Sequence, residues 1–533
     1  MKKFYLVIVL LVTALFFSAC NLGGGGLKEG NGQIKMFYPG MTNDSGELLR
    51  AYATAAQKSG VTLQAQVAST TEYSTLDALI TAQDYPDMIQ VTGTTDMTTY
   101  IANEFLLPLD EYIDEYCPNI KKVLDAHPDF VSQITWKDGH IYHLPTINTD
   151  MPSVQKAIVV REDWLNLYRT AASKAANWEP STPAEYTAMF DWWYANITPV
   201  DNTGAPLTGE KVVCYFDRKG GRPEQNLSGL LGVLGSQYFF YYKSDMTVGF
   251  APETPEFKVA LEEAAKWWER GYIDTNFFNK SASKSARENY WVNTNKGGLT
   301  HDYITGTYTY IEGLNAMSEG ANLTTLAPIS GQLGTTDAAL FVLGGQAITT
   351  KAQDTLACLK FLDYLWSEEG QVLTNWGYEG ETFEYNQNGD PVLINGWTKD
   401  TLREIGVRNP DISGVSNNDI EYEGGMPQNV KDAMEYNKRY LRLFSDCDWF
   451  RVEAQNYVTS MDATELQTNL SNIRSALDAY IQGVIMGQKN LTSDYDAFMA
   501  QVNGLKLAET KAGCENAFRN LCESYGITAD RLK

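Results

Sequence analysis

Between Ile34 and Ile89 the chain changes pattern from segment to segment, and this alternation constrains the fold more than any other feature. Ile34 to Tyr38 reads as an apolar strand, and Glu47 to Lys58 carries helical spacing. Val61, Leu63, Ala65 and Val67 alternate with polar residues, as a half-buried strand requires. A second helix is predicted over Tyr73 to Gln83, and Pro86-Asp87-Met88-Ile89 opens a third strand. Strands separated by helices are joined by crossovers, so the pattern predicts a parallel sheet covered by helices.

The chain has 533 residues, too many for one core, so two or three domains are expected. A second unit begins near Met151, where Ala157 to Val160 is a continuous apolar run read as a buried strand. Thr182 starts a helix with strong chemistry: its hydroxyl can cap, Pro183 suits the first helical position, and Glu185 completes a capping box. Thr254-Pro255 starts another, with Phe257, Ala260, Leu261, Ala264, Ala265 and Trp268 on one face and Gly271 at its end. Cys358, Phe361, Leu362 and Leu365 form a similar stripe, with Gly370 as the expected stop. From Val430 onward the pattern is mostly helical.

The N-terminus is a leader. Lys2 and Lys3 precede the apolar run Phe4 to Phe17, which is too short for an ordinary membrane span. Ser18 and Ala19 then precede Cys20, and Leu15 to Cys20 resembles the lipobox of bacterial lipoproteins. That resemblance implies a signal peptide over 1–19 and a diacylated Cys20 as the new N-terminus. It places the protein on the extracytoplasmic face of the cell membrane, held by lipid. Two or more acyl chains hold stably where one does not. Asn21 to Gly32 carries six glycines, so 20–32 reads as a flexible spacer. No later run of eighteen apolar residues occurs.

The formal charge of -24 disfavours nucleic acid and anionic headgroups as partners. Seven cysteines lack any CxxC pair, so a disulfide cannot be assigned. His140 and His143 would point to opposite faces of a predicted strand, which disfavours a metal site. The loop from Asp201 to Glu210 lacks the alternating oxygen ligands of a calcium loop before its glycine. Gly229, Gly232 and Gly235 lack the Lys-Ser/Thr of a phosphate loop. No cofactor is implied.

Six segments, in order, resemble the family 1 extracellular solute-binding proteins of ABC importers, in their LplA-like lipoprotein branch. Pro86 to Ile89 is similar to the PDI/V strand, and Asn103 to Leu109 to the G-L-L-x-P-L segment. Asp138 to Pro145 resembles DGKIYGLP, and Arg161 to Leu165 resembles the YRKDWLDKLG entry to the second lobe. Lys360 to Gly370 resembles KFLDYLYSEEG, and Tyr378-Glu379-Gly380 the GIEG turn. The resemblance implies a two-lobed α/β fold of the periplasmic-binding-protein type (type II). Its discontinuous lobes, 31–150 with 325–400 and 151–324 with 401–533, would be joined by hinge crossings. It further implies a monomer that captures a carbohydrate, an oligosaccharide given the chain's size, and delivers it to ABC permease subunits.

Sugars present C–H faces to aromatic rings and hydroxyls to carboxylates, amides and Arg. Tyr38 ends the first strand, at the expected cleft rim. Thr92 and Asp96 follow the Met88 strand, at the carboxyl end where open sheets bind ligands. Asn295 to Leu299 resembles the family's xxGKxAM strand, after which Asp302 and Tyr303 take the place of its stacking aromatic. Trp376 and Glu379 follow the Lys360 helix. These seven are the candidate ligand-binding residues, with none assigned to catalysis. Two other functions fit the leader and composition: a surface glycoside hydrolase, needing two carboxylates across a cleft, and a lipoprotein that binds peptides or proteins.

Overall fold

The structure, a computed structural model, describes residues 27–524 apart from 67–75, 77–78, 92–96, 128–129, 132–133, 137, 149–152, 155, 202, 218–222, 244, 280–285, 330–337, 340–344, 388, 390, 409–413, 417–427 and 439–457. The expected leader and Cys20 therefore lie outside the described residues, as does Cys447. The chain forms two units, Met1–Thr149 with Val342–Ile420 and Asp150–Phe341 with Glu421–Lys533.

Two larger sheets are built from β1 (Gln33–Phe37), β2 (Thr62–Ala65), β3 (Met88–Val91), β4 (Leu144–Pro145), β5 (Lys156–Arg161), β6 (Val213–Tyr215), β7 (Gly297–Tyr303), β8 (Leu323–Leu326) and β9 (Gly345–Ile348). The expected crossovers at 325 and 401 fall elsewhere. Leu323–Leu326 pairs antiparallel with Ile158 to Arg161, so it belongs to the second unit and the return comes at Val342. Leu402 and Val407 pack on Ala51, so the chain stays with the first unit to Ile420.

In the first unit the sheet order is β2-β1-β3-β9-β4. β1 runs parallel to β2 and β3, while β9 is antiparallel to β3 and β4. Side chains of a strand alternate between faces. Accordingly Ile34 and Met36 enter one core with Tyr52, Ala55 and Ile348, and Phe37, Ile89 and Val91 enter a second with Phe105 and Trp136. The predicted Glu47 helix begins at Arg50, because Leu49 N first donates to Met41 O. Of the predicted Tyr73 helix, residues 76 and 79–82 are described and helical.

Two glycine expectations need correction. The helix Thr355–Trp366 ends before Gly370, and Ser367 caps a new helix, Glu368–Trp376, by accepting from Gly370 N at 3.0 Å. Gly370 is required by proximity: a Cβ there would lie 2.0 Å from Tyr364 O. The spacer is also shorter than expected, because residues 27–32 are docked on the first unit. Gly32 N donates to Asp354 Oδ2 at 2.8 Å, and Lys28 Nζ donates to Ala352 O at 3.0 Å.

In the second unit the order is β8-β5-β7-β6, with β6 and β7 parallel and the other pairs antiparallel. Gly298 lets this sheet approach its covering helix, since a Cβ would lie 2.8 Å from the Trp193 ring. Thr182 and Thr254 cap Pro183–Asn196 and Pro255–Glu269 by accepting from Glu185 N and Phe257 N. Glu185 does not close the expected box on Thr182; its Oε2 accepts from Ser181 N, one residue earlier, at 2.8 Å. Trp267 is fully buried and donates from Nε1 to Thr187 Oγ1 at 2.6 Å, whereas Trp268 is half-buried. The C-terminal helices Ala463–Ile485, Tyr495–Gly504 and Leu507–Ser524 join this core, and Phe518 stacks on Tyr242 with centroids 3.6 Å apart.

Cys117, Cys214, Cys358, Cys514 and Cys522 are buried free thiols. Desolvation pushes those of Cys117 and Cys522 up to about 12, where the reactive thiolate is scarce. No described helix is long and apolar enough to cross a membrane.

Candidate functional site

The parallel strands β6 and β7 are in register from Val213 and Gly297 to Tyr215 and Leu299, and β7 continues to Tyr303; ligands of open α/β sheets sit beyond such carboxyl ends. Asp302 and Tyr303 end β7, and Asp217 follows β6. Asp302 is 1% exposed, with Oδ2 3.3 Å from Arg287 Nη1 and Oδ1 accepting from Tyr303 N at 2.7 Å. Asp217 is also buried. Burial, then the charges of Asp217 and Asp302, raise the Tyr215 hydroxyl well above the usual phenol range.

The cation on this edge is held in place. Arg287 lies with its guanidinium carbon 5.2 Å from the Tyr310 ring centroid. Gly306 leaves room for it, because a Cβ there would sit 2.7 Å from Nη1. On the neighbouring antiparallel strand Lys156 pairs with Tyr303, and its Nζ lies 5.2 Å from that ring's centroid. Tyr303 itself is half-buried. The edge thus offers a partly open aromatic ring beside an ammonium, on a strand end pinned by a buried Arg–Asp pair. Such a ring can cover a C–H face, and the ammonium can donate to hydroxyls.

The other expected residues separate. Tyr38 is 7% exposed and packs in the first unit's larger core, 6.1 Å from Tyr52 between ring centroids. Its ring is core, not an open rim. Trp376 is 5% exposed and packs with Phe383, so this aromatic is also structural. Glu379 is exposed on the following turn, where its backbone bridges to Phe383. Thr92 and Asp96 lie outside the described residues. Lys156, Asp217, Arg287 and Tyr310 were missed. Only Lys156 left a signal, as a charge at the start of the apolar run Ala157 to Val160.

The histidines do not converge. His140 Nδ1 pairs with Asp110 Oδ2 at 2.9 Å, while His143 Nδ1 is buried without a hydrogen-bond partner. Asp201 Oδ1 is committed to its own turn, accepting from Thr203 N and Ala205 N. Among the described residues no group of three or more His, Cys, Asp or Glu gathers as a metal site.

The family model for the bacterial extracellular solute-binding proteins matches residues 47–378, more than half of the chain. This chain is a bacterial extracellular solute-binding protein. The solute-binding protein is 23% identical over 320 residues to the fructooligosaccharide ABC transporter substrate-binding protein FusA of Streptococcus pneumoniae. That alignment covers 58% of this chain and 55% of FusA, about half of the relative's length. In structure the solute-binding protein resembles the alginate-binding protein AlgQ2, with a TM-score of 0.69 and 21% identity over 91% of this chain and 98% of the other. It also resembles an HMO-binding solute-binding protein of Bifidobacterium longum infantis, with a TM-score of 0.68 and 16% identity over 95% and 100% of the two chains. These likenesses establish the two-lobed α/β solute-binding fold.

Proposed function

We propose that this protein captures an oligosaccharide between its two lobes and delivers it to the permease of an ABC importer. The observation that carries this reading is the half-buried Tyr303 ring beside Lys156 at the carboxyl end of β7, which the buried Arg287–Asp302 pair pins. An aromatic face beside a hydrogen-bond donor suits a neutral polyhydroxylated ligand. The ligands named for similar proteins, fructooligosaccharide, alginate and HMO, are carbohydrates, which supports an oligosaccharide.

The mechanism is differential stabilisation. A ligand that touches both lobes only when they are shut shifts the open–closed population by its extra contacts in the closed state. The protein acts as a monomer, alters no bond in its ligand and uses no cofactor. Removal of 1–19 and acylation of Cys20 hold it on the extracytoplasmic face of the membrane.

Thermal shift against fructans, uronate oligomers and milk-type oligosaccharides, with peptides as controls, tests the reading. Ligand in excess of its Kd raises the melting temperature of the form that binds it. A rise with one oligosaccharide class, and no new reducing ends after incubation, supports capture. Release of reducing ends would assign a hydrolase instead, and a rise with peptides alone would replace the ligand class.

A further inference from the structure

The first unit grips the chain directly after its glycine run. Lys28 Nζ donates to Thr350 O at 3.2 Å and Ala352 O at 3.0 Å, and Leu356 N donates to Lys28 O at 3.2 Å. Gly32 N donates to Asp354 Oδ2 at 2.8 Å, and Leu27 packs against the larger core. A Cβ on Gly30 would lie 2.9 Å from Asp354 Cβ, so the chain crosses the start of the Thr355–Trp366 helix at close range. The grip therefore fixes where the chain leaves the folded body.

That exit lies at the amino end of β1 and β3. Asp87 N donates to Lys35 O, and Gln353 N donates to Asp87 Oδ1, which ties the 349–354 loop to the strand starts. Tyr38, and the loop through Asp44, lie at the opposite end, roughly 17 Å away along a five-residue strand. From Cys20 to Leu27 the covalent chain spans at most about 25 Å. If Cys20 is in lipid, the exit face cannot be turned to the far side of the body. Its charge also suits it: exposed Lys28, Lys35 and Lys351 offset exposed Glu29, Asp84 and Glu104, in a chain of net charge -24. Anionic headgroups repel a neutral face less than the rest of this surface.

We propose that the amino-end face of the first unit, formed by Leu27 to Gly32 and the 349–354 loop, is the face turned toward the lipid surface. The other end of β1, with Tyr38, then lies on the opposite side of the first unit. The proposal rests on the lipidation of Cys20.

The test uses the full-length lipidated chain in vesicles, in a Cys447→Ser background, since the described cysteines are buried. A donor fluorophore is placed by Lys351→Cys or by Asp44→Cys, with an acceptor lipid in the outer leaflet. Transfer should be about twofold or more stronger from position 351, given a separation of at least a strand length. Inserting about twenty Gly/Ser residues after Gly26 should remove the difference, because the tether then reaches around the body. Equal transfer from the two positions in the membrane-bound original chain would overturn the orientation and leave the anchor standing. Recovery of the intact chain in the soluble fraction would overturn the anchor and the orientation with it.

Discussion

Asp302 Oδ2 stands 3.3 Å from Arg287 Nη1, with the two side chains 1% and 14% exposed. An ion pair this dry stabilises little against an apolar pair, but removing one partner strands a buried charge. Asp302→Asn should therefore lower unfolding free energy by about 3 kcal/mol. The double change Asp302→Leu with Arg287→Met should recover much of that loss. Urea unfolding of the three proteins checks this; a double variant as unstable as the single one would show that the pair is not the cause.

Gly306 tests whether the position of Arg287 matters for binding. In Gly306→Ala the new methyl would meet Arg287 Nη1 at 2.7 Å, and the long side chain must move. Stability should fall, but by less than the roughly 3 kcal/mol of stranding Asp302, because the flexible Arg287 side chain can re-form part of the pair. Affinity for the oligosaccharide should fall several-fold in calorimetry. Unchanged affinity would remove Arg287 from the ligand edge.

Tyr303→Ala should weaken oligosaccharide binding by about tenfold, the value of roughly 1.4 kcal/mol of lost ring contact. The empty protein should melt within about 2 °C of the original, because the half-buried ring lies at a strand end. Calorimetry and a melting curve on the same preparation separate the two effects. Equal affinity in the variant would exclude Tyr303 from the site.

The parts legible in the sequence are those fixed by local periodicity and local chemistry. The alternating elements from Ile34 to Ile89 and the caps at Thr182 and Thr254 need only neighbours in the chain to be recognised. Gly370 was misread because its reason is a carbonyl on the preceding helix, not a helix end. Trp376 and Tyr38 were misread because an aromatic residue looks alike in a core and at a rim until its packing partners, Phe383 and Tyr52, are known. Arg287 carries no local signal at all. It is placed by Asp302 and Gly306, and that meeting exists only once β7 and the following helix are packed.

His140 and His143 should drive stability in opposite directions with pH. The hydrogen bond to Asp110 raises His140 above its usual 6.5, against a smaller desolvation effect. Its contribution is complete below the unfolded value and is lost as pH rises through the raised one. Desolvation lowers His143 to about 4. Its neutral ring is favoured in the fold, so stability is full above about pH 6.5 and falls as pH drops toward 4, by at most about 3 kcal/mol. Urea midpoints of His143→Gln and the original chain, compared from about pH 7 to pH 4.5, should converge or cross as pH falls. Those of His140→Gln should draw closer to the original as pH rises above neutrality. A gap that stayed constant with pH in either comparison would mean that histidine does not titrate across the folding transition.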